Sequence, residues 1–141
     1  MARDDPKGCA AVVSRPLHVL VVDDNPLARE VVIAYLTTDG HTAETATNGR
    51  EGLTKFKAGH FDLVVTDGKM PEMGGYRLAD GIKQVAPNMP VMMFTGTLPN
   101  EKPETVDAVV GKPVAFTTFR ETVARVMSAV IRPPPIIDEL D

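Results

Sequence analysis

Asp23-Asp24, Asp67, Thr95 and Lys112 each close a short apolar run of the sequence, and the carboxylates among them are of the type that gathers protons or cations. If those runs are neighbouring strands, the three carboxylates crowd one rim of a sheet. At an effective dielectric near 20, two unit charges about 4 Å apart repel by ~4 kcal/mol. Such a cluster must take up protons or cations, or splay. One dication together with the Lys112 ammonium would balance three aspartates. Donors that are all oxygen favour a hard ion, Mg²⁺ first, which keeps several of its waters. Taken singly, each residue has a plainer reading. Asp23-Asp24 favours a helix N-terminus, Asp67 before Gly68 is a turn residue, and Lys112-Pro113 ends a strand. Those readings fail jointly, because they leave unexplained why all five polar residues close strands.

The elements that must position these residues are legible in the apolar pattern. Leu17 to Val22 is a continuous apolar run, as expected of a strand covered on both faces. Asn25-Pro26 offers an N-cap and a proline at the first helical position. Leu27, Val31, Ala34 and Tyr35 follow at helical spacing, with Gly40 as the stop. His41 to Thr45 reads as a second strand. Asn48 and Glu51 have the spacing of a capping box for a helix running to Gly59. Phe61 to Thr66 is a third strand, 70–75 a turn-rich loop, and Tyr76 to Val85 a helix with Leu78, Ala79 and Ile82 on one face. Pro90 to Phe94 and Asp107 to Val110 are the fourth and fifth strands. Thr118 with Glu121 is expected to cap a last helix that turns Phe119, Val123, Val126 and Val130 to the core. This alternation predicts an α/β fold, a five-stranded parallel sheet with helices on both faces. Ligands on such sheets bind at the carboxyl ends of the strands.

The chain has 141 residues, enough for one domain at ~150 residues each. With 43% hydrophobic and 24% charged residues it has the composition of a globular protein. A net charge of −4 without a basic block argues against a nucleic-acid surface. The single Cys9 excludes an intrachain disulfide and a cysteine zinc site. No apolar run approaches ~18 residues and the N-terminus lacks a signal-like apolar region, so a cytoplasmic location away from membrane is the default expectation. Residues 1–15 read as a loose arm, 16–131 as the domain, and 132–141, with Pro133-Pro134-Pro135, as a tail or linker. His18, His41 and His60 fall at strand starts, lack metal-ligand spacing, and are read as surface or rim residues. Met92 and Met93 are expected in the core.

Val21-Val22-Asp23-Asp24-Asn25, Val65-Thr66-Asp67-Gly68-Lys69-Met70-Pro71 with Gly74-Gly75, Phe94-Thr95-Gly96 and Gly111-Lys112-Pro113 resemble, in order and strand by strand, the receiver domain of two-component response regulators. The resemblance spans residues 17 to about 131, and the later layout is similar to receivers of hybrid histidine kinases. It implies a strand order of 2-1-3-4-5. It implies that Asp67 is the nucleophile that accepts a phosphoryl group from a partner's phosphohistidine. Asp23, Asp24, Asp67 and the backbone carbonyl of Lys69 would hold Mg²⁺, with Asp23 acting mainly through a water. Thr95 and Lys112 would meet phosphoryl oxygens, and the Lys112-Pro113 bond would be cis. Phosphoryl transfer asks a protein mostly for alignment and charge neutralisation, which these groups supply. The implied partner is a histidine kinase or a histidine phosphotransfer protein docking on the first helix. The implied role is phosphoacceptor, not enzyme, in a stand-alone regulator or a segment of a hybrid kinase; oligomeric state stays open.

Three departures from the family pattern stand out. Only 96–105 separate Thr95 from Val106, with Pro99 and Pro103 inside, so the helix between the fourth and fifth strands is expected to be short or missing. Val109 stands where the family often has an aromatic residue. Lys69, two residues after Asp67, should point over the mouth of the site, where it could pair with a carboxylate or hinder an attacking water. Other classes fit less well. A haloacid-dehalogenase-like phosphohydrolase needs an Asp-x-Asp pair and a substrate cap. A flavodoxin-like carrier needs a phosphate loop where Asp23-Asp24 stand. A receiver-like scaffold that is not phosphorylated would ignore phosphoryl donors.

Overall fold

The computed structural model describes residues 15–70, 73–96, 98–99 and 102–131. Residues 1–14 of the expected arm at 1–15, the expected tail at 132–141, and the side chains of Val130 and Ile131 lie outside the described residues. Elements follow in the order β1 (His18–Val22), α1 (Pro26–Thr38), β2 (Thr42–Ala46), α2 (Gly49–Ala58), β3 (Leu63–Thr66), α3 (Gly75–Val85), β4 (Val91–Thr95), β5 (Ala108–Gly111) and α4 (Phe116–Ile131). All five strands pair in parallel in the order β2-β1-β3-β4-β5.

Alternation along the strands splits the core in two. Val19, Val21, Leu63, Val65, Met92 and Phe94 face α1 and α4, where Val32, Leu36, Phe119, Val123, Val126 and Met127 meet them. Leu20, Val22, Val64, Val91 and Met93 face α2 and α3, meeting Phe56, Leu78, Ala79 and Ile82. Met92 and Met93 are fully buried on opposite faces. A period of two on each strand against a helix on each side is what makes the central runs apolar throughout.

The helix signals hold locally. The Asn25 side chain accepts the N–H groups of Leu27 and Ala28 at 2.9 and 3.4 Å. At the other end of α1, Gly40 adopts φ +85°, its N–H bonds Thr37 O at 2.9 Å, and His41 N–H bonds Leu36 O at 3.0 Å. That is a Schellman closure, which needs a residue tolerant of the left-handed region. Asn48 accepts Glu51 N–H at 2.8 Å, but the Glu51 carboxylate reaches one residue further than a capping box, to Thr47 N–H at 2.8 Å.

Two expectations are corrected. α4 begins at Phe116, not at a Thr118 cap, and Phe119 N–H bonds Ala115 O at 3.0 Å. Phe116 sets the earlier start, because its ring packs on Tyr35 at 5.2 Å and carries the Arg120 guanidinium 4.5 Å from its centroid. His41 is buried, 6% exposed, and its Nδ1 accepts Leu17 N–H at 2.9 Å, whereas His18 stacks on Phe61 at 5.0 Å. Between β4 and β5 no helix is present among the described residues, as the short, proline-containing connection predicts. No helix of the described chain is long and apolar enough to cross a membrane.

Candidate functional site

The last rungs of the sheet deliver the site. Asp23 N–H bonds Ala46 O at 3.1 Å, Asp67 N–H bonds Val22 O at 2.8 Å, and Lys112 N–H bonds Thr95 O at 2.8 Å. Each residue that leaves a strand is thus still pinned to the neighbouring strand. Asp23 and Asp67 are adjacent because Val22 pairs with Thr66, and Lys112 follows Gly111, the partner of Thr95.

Asp23, Asp24 and Asp67 each place one carboxylate oxygen within 4.8 Å of the others. Asp23 and Asp67 are buried at 3% and 8% exposure, while Asp24 is exposed. The Lys112 ammonium lies 2.9 Å from Asp23 Oδ2 and 3.5 Å from Asp67 Oδ1. It also lies 5.6 Å from the centre of the Phe94 ring. Asp23 Oδ1 accepts Asn25 N–H at 2.9 Å and Asp67 Oδ1 accepts Gly68 N–H at 2.7 Å. Thr95 is buried, and a Cβ on Gly68 would stand 3.1 Å from its hydroxyl, which places that hydroxyl beside the residue following Asp67.

The electrostatics follow from burial and crowding. Desolvation, and then the Asp23 carboxylate, raise the Asp67 pKa above its ordinary value, against the pull of Lys112 and the N–H groups of Gly68 and Lys69. Burial works against the Lys112 ammonium, but Asp23 and Asp67 outweigh it and raise its pKa. Three oxygen donors around a partly neutralised negative charge fit a hard dication and offer nothing to a soft one.

The loop after Asp67 is folded back tightly. Gly75 N–H bonds Gly68 O at 3.1 Å, and a Cβ on Gly75 would run into the backbone oxygen of Asp67. The same loop is tied to α2 through Gly49 N–H to Met73 O at 3.1 Å. The structure therefore brings together all five side chains expected from the sequence and makes the Lys112-Pro113 bond cis. Lys69 is exposed, and the expected pairing of its ammonium with a carboxylate is absent among the described residues. Val109 is half-buried against the α2–α3 side of the core.

Sequence reasoning missed two groups. Arg29 Nη1 donates to the backbone oxygen of Asp23 at 2.7 Å. The Tyr35 hydroxyl donates to Val114 O at 2.7 Å, on the connection that follows Lys112. Arg29 had a signal, a cation in the first turns of a helix where the dipole opposes it. Tyr35 looked like one more core position.

The arrangement matches known proteins. The response regulator receiver domain model matches residues 19–124. The chain belongs to that family. It is 31% identical over 133 residues to the sensor histidine kinase RcsC of Escherichia coli K12, covering 86% of this chain and 14% of RcsC. Among solved structures, the chemotaxis protein CheY4 of Vibrio cholerae superposes with a TM-score of 0.74 at 29% identity, over 79% of this chain and 99% of CheY4. TrrA of Thermotoga maritima, in complex with Mg²⁺-BeF, superposes with a TM-score of 0.72 at 31% identity, over 77% of this chain and 97% of TrrA. A second TrrA structure is a complex with the histidine kinase ThkA. The chain is thus a receiver domain of two-component or phosphorelay signalling, a family of phosphoacceptor signalling domains. Membership decides against the phosphohydrolase and flavin-carrier alternatives.

Proposed function

We propose that Asp67 is the phosphoacceptor, and that residues 16–131 are the receiver unit, with 1–15 as an arm and 132–141 as a tail or linker. One observation carries this reading: two buried carboxylates and an exposed third converge with a lysine in contact with both buried ones. Asp23, Asp24, Asp67 and the carbonyl of Lys69 are the groups that would hold Mg²⁺. When bound, the ion supplies positive charge to the phosphoryl oxygens and relieves the carboxylate repulsion. The complex of TrrA with Mg²⁺-BeF supports that assignment.

In the transfer itself, a carboxylate oxygen of Asp67 attacks the phosphorus of a partner's phosphohistidine. An O–P bond forms as the N–P bond breaks, and the imidazole nitrogen keeps the electron pair and takes up a proton. Gly68 N–H, on Asp67 Oδ1 at 2.7 Å, fixes the orientation of the attacking carboxylate. The Lys112 ammonium, already within 3.5 Å of that group, exchanges a carboxylate oxygen for a phosphoryl oxygen, and the Thr95 hydroxyl donates to a second. Electrostatic placement of this kind is most of what phosphoryl transfer requires. A water attacking the same phosphorus releases inorganic phosphate and restores the carboxylate.

The donor is a histidine kinase or a histidine phosphotransfer protein. It meets the start of α1 beside the site, where Leu27 and Val31 are exposed at 71% and 44%. The complex of TrrA with ThkA supports such a partner. Incubation with acetyl phosphate and Mg²⁺ tests the reading. On a phosphate-affinity gel the wild type shifts and Asp67→Asn does not; a shift that persists in Asp67→Asn, or no shift in either, overturns it.

A further inference from the structure

Arg29 is out of place by helix electrostatics and in place by geometry. It is the fourth residue of α1, where the positive end of the helix dipole repels a cation. Yet its guanidinium turns back past the Asn25 cap to the backbone oxygen of Asp23 at 2.7 Å, a charge-assisted bond. That oxygen belongs to the peptide plane joining Asp23 to Asp24. The two flanking aspartates differ sharply in support. Asp23 is fixed by Ala46 O on its N–H, by Asn25 N–H on Oδ1 and by Lys112 on Oδ2. Asp24 is exposed, and among the described residues its carboxylate takes no hydrogen bond or ion pair. Where the Asp24 carboxylate stands is therefore set by its backbone, which is held by the Asn25 N–H on Asp23 Oδ1 at 2.9 Å and, on the carbonyl of the preceding peptide plane, by Arg29.

We infer that Arg29 is a positioning residue for the cation site: it clamps the Asp23–Asp24 peptide plane and so preorganises the Asp24 carboxylate toward Asp23 and Asp67. The inference rests on the proposed Mg²⁺ site. It has a distinctive sign. By charge alone, removing a cation next to a dication site tightens the dication. By clamping, removing it weakens the dication, because Asp24 must then be ordered at the moment of binding.

Arg29→Met keeps the apolar stem and loses both charge and donor; Arg29→Lys keeps both. Mg²⁺ alone is titrated into the full chain by calorimetry, with thermal melting as the folding control. Outer-shell partners of metal ligands are worth 10–100-fold in affinity, and for a single backbone clamp roughly tenfold weaker binding is expected in Arg29→Met. Arg29→Lys should lose less than Arg29→Met, since it retains a charged donor on a stem one bond shorter. In ¹⁵N spectra of the metal-free protein, the Asp24 amide, which lies in the clamped plane, moves in Arg29→Met more than in Arg29→Lys. Equal or tighter binding in Arg29→Met overturns the inference, as does an equal loss in both variants. If Arg29→Met does not fold, Arg29→Gln, too short to span to the carbonyl, replaces it with the same expected loss. A wild type that does not bind Mg²⁺ overturns the proposed cation site and this inference together, whereas a binding wild type with an unchanged Arg29→Met overturns the inference alone.

Discussion

Replacing Lys112 by Met in the metal-free protein removes the cation that lets two buried carboxylates coexist. With Nζ at 2.9 Å from Asp23 and 3.5 Å from Asp67, the gross attractions at an effective dielectric of 20 are ~6 and ~5 kcal/mol. At a separation of 4.8 Å, the outer bound for the oxygens that converge, Asp23 and Asp67 repel by ~3.5 kcal/mol on the same scale. Desolvating the ammonium offsets much of the attraction. Removing one partner of a buried ion pair nets about 3–5 kcal/mol, and the lower figure applies because the Lys112 side chain is 24% exposed. Urea unfolding in EDTA should therefore show Lys112→Met about 3 kcal/mol less stable than wild type. Mg²⁺ at a hundred times its dissociation constant adds about 2.7 kcal/mol to whatever it binds. Because the variant site carries one more net negative charge, a fixed Mg²⁺ concentration should stabilise it more than wild type. A variant as stable as wild type in EDTA, or one that gains less from Mg²⁺, would refute the view that Lys112 balances the aspartates.

Further outcomes follow from the same geometry. Burial and Asp23 raise the Asp67 pKa, so the folded chain holds that proton more tightly than the unfolded chain. The stability this group contributes is full below the ordinary carboxylate range and lost as pH rises through the raised value. Metal-free Asp67→Asn should then be more stable than wild type at neutral pH, with the gap closing as pH falls below that range; a pH-independent gap in urea midpoints contradicts it. Gly75→Ala drives a Cβ into the Asp67 backbone oxygen, and overpacking of this kind costs about 1–3 kcal/mol, read as a lowered melting temperature with slower phosphorylation by acetyl phosphate. Lys69→Ala, at an exposed position, should leave stability within about 0.5 kcal/mol but change the lifetime of the phosphorylated form; an unchanged lifetime removes the side chain from the chemistry.

The sequence carried most of this architecture because its signals were redundant. Strand runs such as Leu17 to Val22 and Phe61 to Thr66 are apolar on both faces, and Asn25-Pro26 and Gly40 punctuate α1 by backbone chemistry that few other residues supply. The site was legible for the same reason: each polar residue interrupts a run that would otherwise stay buried. What escaped was decided at long range. The start of α4 depends on Phe116 meeting Tyr35, some eighty positions earlier, and no local cap announces it. His41 is buried because its ring accepts the N–H of Leu17, a contact that spacing along the chain does not encode. Arg29 and Tyr35 act on backbone oxygens, which residue type does not mark; only the cation of Arg29 early in α1 hinted at one of them. That no helix stands before β5 among the described residues was legible, since prolines and chain length are local facts.

If Asp67 is the phosphoacceptor, its carboxylate becomes phosphorylated to an acyl phosphate, and borohydride trapping tests that most directly. Hydride reduces an acyl phosphate, but not a free carboxylate, to the alcohol, leaving homoserine at the modified aspartate. After incubation with acetyl phosphate and Mg²⁺, tandem mass spectrometry of the reduced, digested chain should place homoserine at position 67 alone, and only when Mg²⁺ is present. Homoserine at 23 or 24, or none anywhere after a full incubation, would contradict the account.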